Sequence, residues 1–277
     1  MGIETEPTAA YNRAHRALRL HTFDHTRVAG SRIGGLWFLL AVRALMFSYA
    51  LFVWVFSLVR DARAGTGNVH FAYFTNLCYT GLVAYLAASL YHTVRAIRQR
   101  STASFSDMWP VFQLMHWLLY GSVAVFSVIV TGVYWSMLYP SAHNMSGRDT
   151  WINASVHAMN TGFFVVEAVV GGMVLTSHWS HPCVLVAVGF MYVMLAYVNE
   201  AVNGFFTYDF LNYKEKKGVE AAYIFGLLAA LFIIYYVVWA LQRLLDRMLP
   251  VKSHCAQAGN DSEYQQVECS SPPMERV

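Results

Sequence analysis

The sequence predicts an all-α integral membrane protein, a bundle of about six transmembrane helices. Of its 277 residues, 57% are hydrophobic and only 13% are charged, where an ordinary soluble domain carries roughly a quarter charged residues. The apolar residues are bunched into windows nearly free of charge, each close to the ~20 residues a helix needs to cross ~30 Å of hydrocarbon. Such windows are too long for strands, and the charged residues gather between them.

Residues 1–33 form a polar leader holding Arg13, Arg16, Arg19, Arg27 and Arg32, read as cytoplasmic. The leader lacks the apolar stretch of a cleavable signal, so the first membrane helix is expected to act as an uncleaved one. Within a membrane domain of residues 34–249, helices are predicted over 35–59, 74–94, 109–138, 155–175, 183–204 and 220–242. The third window is longer than the bilayer core requires, so it must tilt or project, with Gly121 and Gly132 as the places to bend. From Pro250 the chain turns polar, with two adjacent prolines, and residues 250–277 read as a disordered cytoplasmic tail.

Orientation follows from the Lys and Arg count. With six spans, twelve of these residues fall on the side of the two termini and six on the other, so both termini are expected in the cytoplasm. Lys214, Lys216 and Lys217 oppose this bias. Asn144-Met-Ser fits a glycosylation acceptor on the far side. The localisation expected is an endomembrane or the plasma membrane.

Several function classes are disfavoured. The net charge is +3, but the basic residues flank apolar runs and form no aromatic-interleaved patch, so the expected partners are membrane lipids and not nucleic acid. Cys78, Cys183, Cys255 and Cys269 contain no Cys-x-x-Cys pair, which indicates neither a zinc site nor a disulfide framework; no metal and no cofactor are expected. A transporter built from two related halves would carry an internal repeat, and none is visible.

Ionisable groups inside a span each need a partner or a task. Here they are Arg43, His116, His157, Glu167 and Glu200. On the fourth helix His157, Asn160, Thr161 and Glu167 fall within an arc of roughly 120°, a polar stripe that must face the bundle interior. On the third, Gln113, His116 and Tyr120 share a face and read as packing or a proton path. The topology brings Thr75 and Asn76 at the start of helix two, His157 near the start of helix four, and Asn199, Glu200 and Asn203 at the end of helix five to one membrane surface.

A threonine hydroxyl becomes a nucleophile when a base takes its proton, and histidine suits that role. Thr75 and His157 fit such a pair, with free N–H groups in the first turn of helix two as an oxyanion hole. That chemistry is acyl transfer or ester hydrolysis on a lipid. The residues alone leave a plainer reading open, in which Thr75 caps its helix and His157 is a hydrogen-bonded interfacial residue. Arg43 and Glu167 read as a buried pair that orients two helices.

The segments Tyr73-Phe74-Thr75-Asn76, Val133-Tyr134-Trp135 with Leu138-Tyr139-Pro140, Trp151-Ile152-Asn153 with His157, and Gly204-Phe205-Phe206-Thr207-Tyr208 together resemble the androgen-induced gene family, which includes the androgen-dependent regulator of tissue factor pathway inhibitor, and the related rolling-stone-like proteins. The resemblance covers residues 70 to 240. It implies hydrolysis of fatty acid esters of hydroxy fatty acids, with Thr75 as nucleophile, His157 as base and Glu167 as the family's acidic residue. Glu167 lies ~15 Å along the helix from His157, too far for a hydrogen bond, so Glu200 is the better orienting acid; Asn76 and Asn160 are supporting candidates. The sequence departs from the family at Ala154, where a second histidine is often found, and at Asp209, where proline is common. Aromatic residues Trp135, Tyr139 and Trp151 are expected at the membrane interface.

The rolling-stone-like resemblance implies a different class, a non-catalytic multi-pass protein that organises lipids or partners. A channel would need a continuous polar path, and the polar residues instead cluster at two levels.

Overall fold

The computed structural model describes residues 23–139 and 146–252, with the backbone of 254–256 and 266–268. Arg13, Arg16, Arg19, Asn144, Cys269 and Arg276 lie outside the described residues, so the glycosylation acceptor and part of the charge count have no structural counterpart.

The protein is an all-α membrane bundle. Its helices are α1 (Gly35–Arg63), α2 (Phe74–Gln99), α3 (Pro110–Val133), α4 (Gly147–His157), α5 (Met159–Val170), α6 (Ser180–Asn203) and α7 (Val219–Met248). Five are long and apolar enough to cross a membrane, counting α3 with the wider helical turn Tyr134–Leu138 that continues it. Among the described residues, the shorter α5 is a further apolar helix of 12 residues, preceded by the more polar α4. Apolar side chains point outward as well as inward, with Leu45 73% and Phe225 70% exposed, as expected where the solvent is lipid.

α1 starts at Gly34 and Gly35, whose φ angles of +76° and +77° are open to glycine and costly for other residues. They turn the leader sharply into the membrane. α1 buries a single stripe, Leu39, Arg43, Met46, Ala50, Val53 and Ser57, at the three- and four-residue spacing of one helix face. α3 is the most buried span and opens with Pro110 in its first turn, where proline loses no helical hydrogen bond.

The structure corrects the fourth predicted span. In place of one helix over 155–175, the chain is helical from Gly147, breaks at Ala158 and stops at Val170. Gly171 takes extended backbone, and the following segment is buried and outside any helix or strand through Leu175. Close packing requires the glycines. A Cβ on Gly172 would lie 2.7 Å from the Arg27 carbonyl, and one on Gly171 would lie 2.7 Å from Glu167 Oε1.

A non-helical segment in a membrane protein must find partners for its own backbone groups. Side chains supply them here. Tyr120 donates to the Met173 carbonyl at 2.8 Å, Tyr235 to the Thr176 carbonyl at 2.9 Å, and Arg27 to the Gly172 carbonyl at 3.2 Å. The Leu175 N–H donates to Gln242 Oε1 at 2.7 Å, and Gln242 Nε2 donates to the Tyr120 hydroxyl at 2.6 Å. Gln242→Leu therefore strands a buried N–H, and is expected to lower stability by about 1–3 kcal/mol. Chemical unfolding of the purified protein in detergent checks this; an unchanged midpoint would mean that the segment finds another acceptor.

The last part of the leader packs against the bundle. Val28, Ala29, Ser31 and Arg32 are buried. Arg32 donates to the Ala168 carbonyl at 3.1 Å and pairs with Asp246 at 2.6 Å, and Arg27 reaches the same carboxylate at 3.1 Å. The start of the tail is ordered too, since Ser31 and Lys252 exchange two backbone hydrogen bonds of 3.2 and 2.8 Å. Further on, His254–Ala256 (β1) pairs antiparallel with Gln266–Glu268 (β2). Polar composition predicts no apolar core for the tail, but it does not forbid a short backbone ladder.

Both described ends of the chain thus meet at one end of the bundle, here called the leader end. The opposite end carries the start of α2 and is called the Thr75 end.

Candidate functional site

At the Thr75 end, α2, α3, α6, α7 and the segment 208–211 surround a small, partly open cavity. Its wall is apolar, from Ile129 and Val133 on α3 to Leu227 and Leu231 on α7, apart from Thr75 and the tyrosines Tyr134, Tyr192 and Tyr208.

Thr75 is the second residue of α2 and is buried. Tyr73 before it is extended and offers no side-chain cap, so the first N–H groups of α2 need partners from elsewhere. The Tyr192 hydroxyl donates to the Ala72 carbonyl at 3.0 Å and interacts with the Phe74 backbone. The Tyr208 hydroxyl interacts with both the backbone and the side chain of Thr75. The donors read from the sequence as an oxyanion hole are therefore engaged by two tyrosine hydroxyls.

His157 is the last residue of α4 and is not part of the cavity wall. Its ring is stacked on Tyr134, with centroids 3.6 Å apart and planes within 6°, and Tyr134 is part of that wall. No hydrogen bond joins Thr75 and His157 among the described residues. The backbone of His157 is tied down: the Thr131 hydroxyl donates to its carbonyl, left free where the helix breaks, and lies 2.7 Å from the Thr161 hydroxyl.

The supporting residues divide. Asn160 is buried beside His157 on the stripe. Asn76 turns away from the cavity, donating to the His70 carbonyl at 2.8 Å. Glu200 is not an orienting acid for His157: it pairs with Lys214 at 2.5 Å, an interaction that raises the Lys214 pKa chiefly through that hydrogen bond. Asn199 and Asn203 close the end of their own helix, through the Phe205 carbonyl and each other. These three residues serve the loop that follows α6.

Glu167 lies at the other end of the stripe, in a buried bidentate pair with Arg43. Arg43 Nε donates to it at 3.1 Å, Nη2 closes the second bond, and the Tyr85 hydroxyl adds a third at 3.0 Å. The remaining Arg43 nitrogen donates to the carbonyls of Val28 and Ser89 and to the Thr93 hydroxyl, at 3.0, 3.2 and 2.7 Å. One guanidinium thus joins the leader, α1, α2 and α5. Nearby, the His92 and His116 rings meet edge to face with centroids 4.9 Å apart, while Gln113 clamps the turn before α3 through the Ser106 and Met108 carbonyls.

Sequence reasoning passed over the pair Asp61–His70, in which Nδ1 lies 2.6 Å from Oδ2. His70 is buried and pins the loop before α2 to the end of α1. It also passed over Tyr134, Tyr192 and Tyr208; of these, Tyr134 and Tyr208 stand inside the quoted family segments. Trp135 and Tyr139 are exposed, whereas Trp151 packs inward, donating to the Tyr49 hydroxyl at 3.2 Å.

The fold and site together define a multi-pass helical membrane protein with an apolar cavity that ends on one threonine and three tyrosines. Comparison of the chain with protein-family models, curated proteins and solved structures finds no match.

Proposed function

We propose that the protein is a membrane-embedded lipid ester hydrolase in which Thr75 attacks the ester carbonyl and His157 takes, then returns, the proton. The observation that carries this reading is the position of Thr75, a buried hydroxyl in the wall of a largely apolar cavity, the kind of surface an acyl chain packs against. The resemblance of the quoted segments to the androgen-induced gene family supports fatty acid esters of hydroxy fatty acids as substrates. His157 stands behind Tyr134, so its proton exchange with Thr75 runs through an intervening group. The Lys and Arg bias supports cytoplasmic termini, in an endomembrane or the plasma membrane.

The test is turnover of a medium-chain ester and of a fatty acid ester of a hydroxy fatty acid by the purified protein in detergent, beside Thr75→Ala and His157→Ala. Activity in the native protein, lost in both folded variants, is the expected result. A second reading, a lipid-holding membrane organiser without catalysis, draws support from the tyrosine hydroxyls that already engage the first turn of α2. It expects tight retention of the lipid and no turnover above the variants.

A further inference from the structure

The interface between α3 and the α4–α5 break contains four polar atoms with no hydrogen-bond partner in the protein: Ser127 Oγ, the Tyr134 hydroxyl, His157 Nδ1 and Asn160 Nδ2. All four residues are at least nine-tenths buried. Their spacing makes them one seam. Ser127, Thr131 and Tyr134 recur at four and three residues on one face of α3, and His157, Asn160 and Thr161 do so across the break. Thr131 sits between them and is satisfied, bonded to the His157 carbonyl and the Thr161 hydroxyl.

Unpaired buried polar groups are costly, and hydrocarbon offers them nothing. Four in one seam, each able to hold a water through a donor or an acceptor, match what an internal hydration site requires. The seam also borders the cavity, because Tyr134 is both stacked on His157 and part of the cavity wall.

We propose that this seam is a water site, and that it supplies the water that hydrolyses the ester formed on Thr75. The hydration stands on the geometry alone; the delivery role rests on the hydrolase reading. In the second half of that reaction, His157 takes a proton from the water and the water oxygen adds to the acyl carbonyl carbon. The bond from that carbon to Thr75 Oγ1 then breaks, the proton returns from His157 to Oγ1 by way of the intervening group, and the fatty acid leaves. One water is consumed and nothing is oxidised or reduced.

Radiolytic hydroxyl-radical footprinting of the full chain in lipid nanodiscs tests the site, since bound water generates radicals where it sits. Tyr134 and His157 are expected to be modified at least about tenfold faster than Tyr120 and Tyr235, which are also buried but have partnered hydroxyls. Equal rates overturn the water site. Ser127→Val, which dries the seam, is expected to protect Tyr134 and His157 and to let an acyl adduct on Thr75 accumulate after a first burst of alcohol release. Faster footprinting without such an adduct, in a protein that turns over, overturns the delivery role alone. A native protein with no turnover removes the delivery role together with the hydrolase reading, and footprinting still decides the seam.

Discussion

Arg43→Leu is expected to destabilise the bundle by about 3–5 kcal/mol, because it leaves the Glu167 carboxylate buried without its partner. Glu167 keeps the Tyr85 hydroxyl, a single neutral donor in place of a guanidinium that made two charged bonds. The same change frees the Val28 and Ser89 carbonyls. Glu167→Leu alone should cost a similar amount, now through a stranded guanidinium. The double replacement is expected to recover most of the loss, since apolar groups of similar volume need no partners. Reversible unfolding of the four proteins in mixed micelles makes this a double-mutant cycle. If the double variant is as unstable as the singles, the carbonyl and hydroxyl bonds of Arg43, and not its charge pairing, hold the helices.

Thr75→Ala is expected to lower ester turnover by a factor on the order of 10³ or more, since loss of a nucleophile removes the covalent route while leaving the cavity in place. Thr75→Ser keeps a hydroxyl at the same atom and should retain activity within about tenfold. The alanine variant also loses a contact with Tyr208, so its unfolding midpoint must be read beside its rate. Native-like turnover by a folded Thr75→Ala protein would remove Thr75 as the nucleophile and leave the cavity as a lipid holder.

The spans were legible because a helix that faces lipid must be apolar over its whole length, and that requirement is written locally. Arg43 and Glu167 were legible for the complementary reason: charge at that depth demands an opposite charge. The end of the fourth span was not. Val170 through Leu175 is as apolar as a helix, and what distinguishes it is close packing at Gly172, where a Cβ would meet Arg27 and Val251, two contacts from distant segments. The candidate site was legible as residue types but not as geometry. Thr75 and Tyr134 line the cavity, and the histidine is stacked on that tyrosine outside the wall. Glu200 looked like a free acid because Lys214 reaches it only after the chain has turned at Gly204. Asp61 and His70, nine residues apart across a loop, each resembled an ordinary surface residue.

Asp246 lies 219 residues after Arg27, and this separation sets an order of assembly. A chain emerging from synthesis inserts α1 and α2 long before α7 exists, so Arg27 and Arg32 wait without their carboxylate while the rest of the protein is made. The leader end is consequently the last region to close, when α7 arrives and Ser31 pairs with Lys252. A chain truncated before Asp246 would leave Arg32 without its carboxylate and Arg27 with only the more distant Asp24, at 3.8 Å. That exposed charge is a signature by which an unfinished protein differs from a finished one.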